Sequence, residues 1–231
     1  MCRLLGLTSA PKRTHATFWL LDAPDSLDEQ SHRNPDGTGL GTFSPDGQPE
    51  VFRQPIAAWA DQQFAARARI AESTTFVAHV RHASTGGVDT VNTHPFCQDG
   101  RLFAHNGVVE GLDDLAEKLG DAMSLVAGET DSERFFALIT AEIRAAGGDI
   151  GRGIASAVRW VARHLPLYSL NFVLTTPDEM WVLRYPDTNT LYLLRRPAGG
   201  PHGGRPLEHV DAAGATRVRS TAAATAPAVV V

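Results

Sequence analysis

A cysteine stands at the second position of the chain, which begins MCRLLGL. A thiol so close to the start can be a residue without a function, a site for lipid attachment, or a nucleophile that becomes the first residue once the initiator methionine is removed. Lipid attachment lacks a supporting polybasic or second lipid signal beside Cys2. All three interpretations stay open on this residue alone.

Three further polar positions interrupt apolar stretches. Arg81 lies at the end of an apolar run, where a cation needs an anion from the protein or from a ligand, and both readings remain open. Asn106-Gly107 ends another such run and by itself favours an ordinary hairpin turn. Asp131 falls in the first turn of a predicted helix, where a carboxylate is stabilised by the helix dipole, so helix capping is the simplest interpretation.

Two weaker patterns indicate other chemistry. The glycine pattern GTGLG at residues 37–41 is similar to a phosphate loop, but no helical pattern follows it, so a hairpin is favoured. Neighbouring histidines could indicate a metal, but their spacings match no common zinc pattern, and we expect neither a metal nor a cofactor. These histidines are His79, His82, His94 and His105. Cys97 receives no predicted function.

The elements that must position these residues follow from periodicity and turn signals. Strands are predicted for CRLLGLTS, for TTFVAHVRHAST ending near Ser84, for RLFAHNG ending in a turn, and for SLNFVLTT, EMWVLRY and TLYLLRR. Helices are predicted in AWADQQFAARARIAES, in LDDLAEKL, from a capping box at Thr130-x-x-Glu133, and in IASAVRWVARHL before Pro166. Strands, then helices, then strands predict helices stacked on antiparallel sheets.

Composition limits the class of protein. The chain has 231 residues, of which 43% are hydrophobic, so we expect one domain over residues 1–231 with a Gly/Pro/Ala-rich and incomplete segment from about residue 198. A net charge of -5 disfavours nucleic acid and anionic membranes as partners. Two cysteines are too few for a disulfide framework, and no leader or spanning run is apparent, so we expect a cytoplasmic protein.

Four short motifs follow Cys2 in a fixed order: VRHASTG, VNTHPF, AHNGVVE and GETDSE. With the second-position cysteine, they resemble the class II glutamine amidotransferase domain, a member of the N-terminal nucleophile hydrolases. The resemblance runs from Cys2 to about Phe136, and the later elements fit more loosely. It implies the α+β class: a four-layer α/β/β/α sandwich of two antiparallel sheets, with the active site at their open end.

The resemblance also implies catalytic roles. Cys2 would become the true N-terminus and carry both the nucleophilic thiol and an α-amino group, whose reference pKa values of about 8.5 and about 8 allow proton exchange near neutral pH. Its thiolate would form a thioester with the side chain of glutamine, releasing ammonia and then glutamate. The family's oxyanion hole matches Asn106 and Gly107.

Substrate-binding roles carry over in the same way. The family's arginine for the α-carboxylate matches Arg81, and its aspartate for the α-ammonium matches Asp131. His82, Ser84 and Thr85 occupy pocket-lining positions, although some relatives carry tryptophan in place of the histidine. NPDGTG has Thr38 where the family motif NPDGWG has tryptophan, so a ring-stacking lid is not expected there. His94 and His105 are assigned to the framework.

Three functions remain open from the sequence. The first is a stand-alone glutamine amidotransferase that passes ammonia to a separate synthase subunit, and the second is a hydrolase of another γ-glutamyl amide compound. The third is a catalytically silent glutamine-binding regulatory module, although a binding module has no need of the nucleophile Cys2. The sequence leaves a homo-oligomer, the physiological substrate and the pathway open.

Overall fold

A computed structural model describes residues 2–200, 207–210, 217–220 and 224–231. The strands are β1 (Arg3–Thr8), β2 (Thr14–His15), β3 (Thr38–Phe43), β4 (Pro49–Gln54), β5 (Glu72–Ser73), β6 (Thr75–Val80), β7 (Phe96–Gln98), β8 (Arg101–Val109), β9 (Leu167–Thr175), β10 (Met180–Leu183), β11 (Leu194–Arg196), β12 (Leu207–Val210), β13 (Arg217–Ser220) and β14 (Ala228–Val230). The helices are α1 (Leu27–Gln30), α2 (Gln62–Ile70), α3 (Leu112–Leu119), α4 (Asp131–Ala145) and α5 (Ile150–His164).

Two antiparallel sheets form the centre of the molecule. The six-stranded sheet has the order β11-β14-β1-β6-β3-β4, and the four-stranded sheet has the order β10-β9-β8-β7. Helices α4 and α5 pack on the four-stranded sheet, while α1 and α2 pack on the six-stranded sheet. The predicted four-layer α/β/β/α sandwich is therefore confirmed.

Alternation along the strands divides the apolar side chains among the layers. On β8, Leu102 and Ala104 face the space between the two sheets, whereas Phe103 faces α4 and packs in the core that includes Phe135. The six-stranded sheet buries a third cluster against α1 and α2. Because successive strand residues point to opposite faces, each sheet can be covered on both sides.

Helix α4 begins at the residue that the capping signal predicts, but its capping box is only half formed. The Oγ1 of Thr130 accepts a hydrogen bond from the Glu133 amide at 3.2 Å. The Glu133 carboxylate accepts instead from the Gly128 amide at 2.7 Å, rather than returning to Thr130. Glu133 thus fixes the loop before α4.

The turn predicted at Asn106-Gly107 is wrong, since β8 continues through both residues to Val109. Asn106 pairs with Asn171 and Gly107 with Leu170 in the ladder with β9. A Cβ at position 107 would overlap the backbone carbonyl of Ser169, so glycine is needed here for close approach and not for a turn.

Several other boundaries differ from the sequence predictions. Strand β6 ends at Val80 and not near Ser84, so residues from Arg81 onward form a loop. The hairpin favoured over a phosphate loop is confirmed, because β3 pairs antiparallel with β4. The run TLYLLRR gives only the short β11, which joins the six-stranded sheet through β14. In the described part of the chain, no helix has the length and apolar character needed to cross a membrane.

Candidate active site

The pairing of β1 with β6 brings Cys2 beside Arg81. Because Arg3 pairs with Val80 in an antiparallel register, the residue before β1 lies next to the residues after β6. The Cys2 Sγ accepts a hydrogen bond from the His82 amide at 3.2 Å and donates to the His82 carbonyl at 3.4 Å. Burial raises the pKa of the Cys2 thiol, and the His82 amide and the charge of Arg81 act in the opposite direction.

The NPDGTG turn holds this part of the chain, through a residue that the sequence did not single out. The Asp36 carboxylate accepts from the Ala83 amide at 2.8 Å, and the Asp36 amide donates to the Arg81 carbonyl at 3.0 Å. The Arg81 amide donates to Gly37 at 2.8 Å. Two chain segments are thereby fixed against each other next to the thiol. Thr38 is buried and donates to the Ile56 carbonyl at 2.9 Å, so it faces the protein interior.

Arg81 is only 3% exposed, and its guanidinium is surrounded by the loop that follows it. It donates to the backbone carbonyls of Thr85 at 2.7 Å, Gly86 at 3.3 Å and Gly87 at 2.9 Å. Among the ion pairs of the described residues, none involves Arg81. A guanidinium has five N–H donors, so these bonds leave donors for a carboxylate from a ligand.

Asp131 connects this loop to β8 and α4. Its carboxylate accepts from the Thr85 hydroxyl at 2.9 Å, from the Val109 amide at 2.9 Å and from the Ser132 hydroxyl at 3.4 Å. The N-cap residue of α4 is Thr130, and Asp131 lies in the first turn of the helix, as the sequence predicts. Asp131 is 2% exposed, so its carboxylate is buried and held by hydrogen bonds and is not a surface charge.

Asn92, which lies in the motif VNTHPF but had no predicted role, fixes the far end of the same loop. Its side chain donates to the Gly87 carbonyl at 3.2 Å and accepts from the Glu129 amide at 2.8 Å. The loop is thus tied both to Arg81 and to the segment that precedes α4. Ser84 is exposed on this loop, and His82 places its Nδ1 at 4.0 Å from the Asp36 carboxylate.

Asn106 lies in the wall of a cavity of about 520 Å³. The wall also contains Arg3, whose guanidinium donates to the Cys2 carbonyl at 3.1 Å. The predicted residues, together with Arg3, therefore fall into two groups. Cys2 touches His82 beside Arg81, and Arg81 is linked through Thr85 to Asp131, whereas Asn106 and Arg3 face the cavity next to them.

Two of the histidines form a buried pair. The ring centroids of His79 and His94 are 4.2 Å apart, and both rings are inside the protein. Burial lowers the pKa of His79 to about 3 and that of His94 well below 6.5, so both are neutral. His105 instead contacts the Ser132 hydroxyl at 2.9 Å and the Ser169 carbonyl at 3.1 Å. Across the residues that the structure describes, no three His, Cys, Asp or Glu side chains form a group that could hold a metal ion.

A sequence profile described as class II glutamine amidotransferases matches residues 1–231. The chain belongs to the class II glutamine amidotransferases. The family predicted from the four motifs is thereby confirmed.

Named relatives of this class II glutamine amidotransferase differ in what they act on. The chain is 36% identical over 121 residues to the gamma-glutamyl-hercynylcysteine sulfoxide hydrolase of Mycobacterium tuberculosis, an alignment that covers 48% of this chain and 50% of the relative. It is 28% identical over 160 residues to the isomerizing glutamine–fructose-6-phosphate aminotransferase of Idiomarina loihiensis, covering 69% of this chain and 25% of the relative. The chain spans only 39% to 58% of the length of the first three curated relatives that it matches.

The fold has a counterpart among solved structures. A glutamine aminotransferase class-II domain protein from Silicibacter pomeroyi superposes with a TM-score of 0.59 at 21% sequence identity, over 100% of this chain and 88% of that protein. At this identity the similarity supports the fold alone. It agrees with the sandwich of two antiparallel sheets.

Proposed function

We propose that this class II glutamine amidotransferase hydrolyses the γ-amide of glutamine through a thioester at Cys2. The observation that carries the proposal is the position of the Cys2 Sγ, 3.2 Å from the His82 amide and directly beside the buried Arg81. The sequence places these residues some eighty positions apart, and the pairing of β1 with β6 joins them.

Removal of Met1 would give Cys2 a free α-amino group. Burial raises the pKa of the Cys2 thiol, so at neutral pH it needs a base to become a thiolate. A peptide nitrogen cannot accept that proton, but an α-amine with a reference pKa of about 8 can. In this mechanism the thiolate attacks the γ-carbonyl carbon, the C–N bond breaks, and ammonia leaves with a proton from the α-ammonium group. Water then cleaves the thioester to give glutamate.

Arg81 and Asp131 would hold the two charged groups of the substrate. Both side chains are nearly fully buried, and the Thr85 segment joins them. A carboxylate on Arg81 and an ammonium on Asp131 would orient the zwitterion with its γ-amide toward Cys2. Such positioning converts a freely tumbling ligand into one near the geometry of attack. Ser84, Thr85 and His82 would line the surroundings of this pocket.

Asn106 and Gly107 are proposed as the oxyanion hole. Both lie on β8, and Asp131 is bound to the Val109 amide on the same strand. The strand thus ties the proposed ammonium site to the proposed oxyanion site in one rigid element. Negative charge that develops on the γ-carbonyl oxygen would be stabilised by the Asn106 side chain and the Gly107 amide.

Two wider forms of this function follow from the relatives. The relative from Idiomarina loihiensis is named as a glutamine–fructose-6-phosphate aminotransferase. Its name supports a role in which ammonia passes to a separate synthase subunit. The relative from Mycobacterium tuberculosis is named as a hydrolase of a γ-glutamyl compound. Its name supports a leaving group larger than ammonia. Both use the same proposed attack of Cys2 on a γ-glutamyl carbonyl.

The test is incubation of the purified protein with a diazoketone analogue of glutamine, followed by intact-mass and peptide analysis. We expect one adduct, at Cys2, and glutamate release that a Cys2→Ala variant abolishes. The matched control is Cys97→Ala, because Cys97 is also a free cysteine and is exposed. A protein with residues fused ahead of Cys2 should release no glutamate.

Labelling at Cys97 alone, or unchanged glutamate release from Cys2→Ala, would contradict the assignment of the nucleophile. Full activity in the uncleaved fusion would contradict the assignment of the α-amine as base. A protein that binds glutamine without labelling or turnover would instead be the silent regulatory module.

A further inference from the structure

The two buried charges proposed to bind the substrate influence each other without forming an ion pair. Burial lowers the pKa of Arg81, and the charges of Cys2, Asp36 and Asp131 act in the opposite direction. In the part of the chain that the structure describes, no ion pair joins Arg81 to Asp131. Opposite charges attract strongly where little water screens them. Other contacts must therefore hold the guanidinium and the carboxylate apart.

Thr85 is one spacer between these two charges. Its carbonyl accepts a hydrogen bond from Arg81 at 2.7 Å, and its hydroxyl donates to the Asp131 carboxylate at 2.9 Å. The loop that carries Thr85 could still turn about these two contacts. A second connection is needed to fix the distance between the guanidinium and the carboxylate.

Asn92 supplies this second connection from the other side. Its Nδ2 donates to the Gly87 carbonyl at 3.2 Å, and the same carbonyl accepts from Arg81 at 2.9 Å. Its Oδ1 accepts from the Glu129 amide at 2.8 Å, and Asp131 follows shortly after Glu129 in the chain. These contacts close a ring, which consists of Arg81, Thr85, Asp131, Glu129, Asn92 and Gly87.

The side chain of Asn92 fits between two glycines. A Cβ at Gly86, which has a φ of +69°, would lie 3.1 Å from the Asn92 Nδ2, and a Cβ at Gly128 would lie 2.5 Å from its Oδ1. Asn92 is only 2% exposed. Its orientation is fixed because one end faces a carbonyl, which only accepts, and the other faces a backbone amide, which only donates. Both ends of the side-chain amide are therefore held in place.

We infer that Asn92 is a positioning residue, which holds the loop around Arg81 at a fixed distance from Asp131 so that the two charges bind the substrate instead of each other. The inference rests on the proposed binding of the α-carboxylate at Arg81 and of the α-ammonium at Asp131. In an α-amino acid both charged groups are attached to one carbon atom, so their separation is nearly constant. Without Asn92 the loop can carry Arg81 toward Asp131, and the substrate then has to break an ion pair.

The test compares two reagents that alkylate the Cys2 thiol, measured as adducts on the peptide that contains Cys2. The diazoketone analogue of glutamine carries the α-carboxylate and the α-ammonium, whereas iodoacetamide carries neither. Asn92→Ala should slow labelling by the diazoketone by about ten- to a hundredfold, because a displacement of about 1 Å can cost about a hundredfold. Labelling by iodoacetamide should stay as in the parent. KM for glutamine should rise more than kcat falls, since the α-groups do not change during the reaction.

Gly128→Ala tests the same contact without removing Asn92. The added methyl group would displace the Asn92 Oδ1, so it should also slow labelling by the diazoketone and not by iodoacetamide. The matched control is Gln98→Ala, because Gln98 is 6% exposed and its side-chain amide donates to the Leu125 carbonyl at 3.2 Å, outside the ring. This control should react with both reagents as the parent does.

Two results would overturn the inference while the proposed function stands. One is labelling of Asn92→Ala by the diazoketone at the rate of the parent. The other is an equal slowing of both reagents, which would show that Asn92 supports the surroundings of Cys2 and not the binding of the α-groups. If Asn92→Ala does not fold, Gly128→Ala decides by the same two criteria. Failure of the diazoketone to label Cys2 in the parent protein would reject the proposed function, and the inference with it.

Discussion

Acid should destabilise this protein through the buried pair of His79 and His94. His79 lies on β6 with none of its surface exposed, and its ring is 4.2 Å from that of His94. Burial, then the positive charge of Arg81, lowers the pKa of His79 to about 3. In the unfolded chain the same ring has a pKa of about 6.5.

The sign follows from which state binds the proton. Below about pH 6.5 His79 binds a proton in the unfolded chain but stays neutral in the folded protein. The free energy of unfolding therefore decreases as the pH falls toward 3. Each pH unit in this window costs about 1.4 kcal/mol, so acidification from about pH 7.5 to about pH 5 should remove about 2 kcal/mol through His79 alone. The pKa of His94 is shifted in the same direction, which adds to the loss.

The assay is urea unfolding of the parent protein and of His79→Gln at both pH values. The variant replaces a titrating ring with an amide that does not titrate, so it should lose about 2 kcal/mol less than the parent on acidification. His32→Gln is the matched control, because the ring of His32 is exposed, and it should behave as the parent does. An equal loss in His79→Gln and the parent would show that this ring is not the source of the acid sensitivity.

The remaining predictions concern the site itself. Gly107→Ala should lower the free energy of unfolding by about 1–3 kcal/mol, measured by urea titration, because its Cβ would overlap the Ser169 carbonyl, whereas Gly87→Ala has open space and should cost much less. Asn106→Ala should lower kcat for glutamine by about a hundred- to a thousand-fold with little change in KM, since it removes a donor used in the transition state. Asp131→Asn should mainly raise KM for glutamine. The variant should also discriminate less than the parent against a γ-glutamyl amide that lacks the α-amino group, as measured by glutamate release. Discrimination equal to that of the parent would show that Asp131 does not bind the ammonium group.

Local signals in the sequence predicted helices stacked on antiparallel sheets, whereas the four-layer arrangement came from the family resemblance. The capping residue Thr130, the helical spacing that follows it and the apolar alternation of the strands act over a few residues. Boundaries were less accurate where the tertiary structure decides them. Strand β6 ends at Val80 because Arg81 begins a loop whose backbone carbonyls accept hydrogen bonds from the Arg81 guanidinium.

The candidate site was found only in part. An Asn-Gly pair usually indicates a hairpin, and the close approach of Ser169 to Gly107, which keeps this pair inside a strand, involves residues far apart in sequence. Asp36 and Asn92 were missed for a similar reason, since both act on backbone groups of distant segments. Such contacts carry no periodicity, so the motifs NPDGTG and VNTHPF contain these two residues without indicating what their side chains bind.

The place of β14 beside β1 has a consequence for how the protein is made. Leu7 pairs with Val230, so the strand that follows Cys2 gains this neighbour only after residue 230 has been synthesised and has left the ribosome. At about 5–20 residues per second, synthesis of a chain of 231 residues takes roughly ten to fifty seconds. During that interval the first residues lack a native partner on this side and stay accessible to the enzyme that removes the initiator methionine. The order of synthesis thus leaves time for the removal of Met1 that the proposed mechanism requires, before β14 pairs with β1.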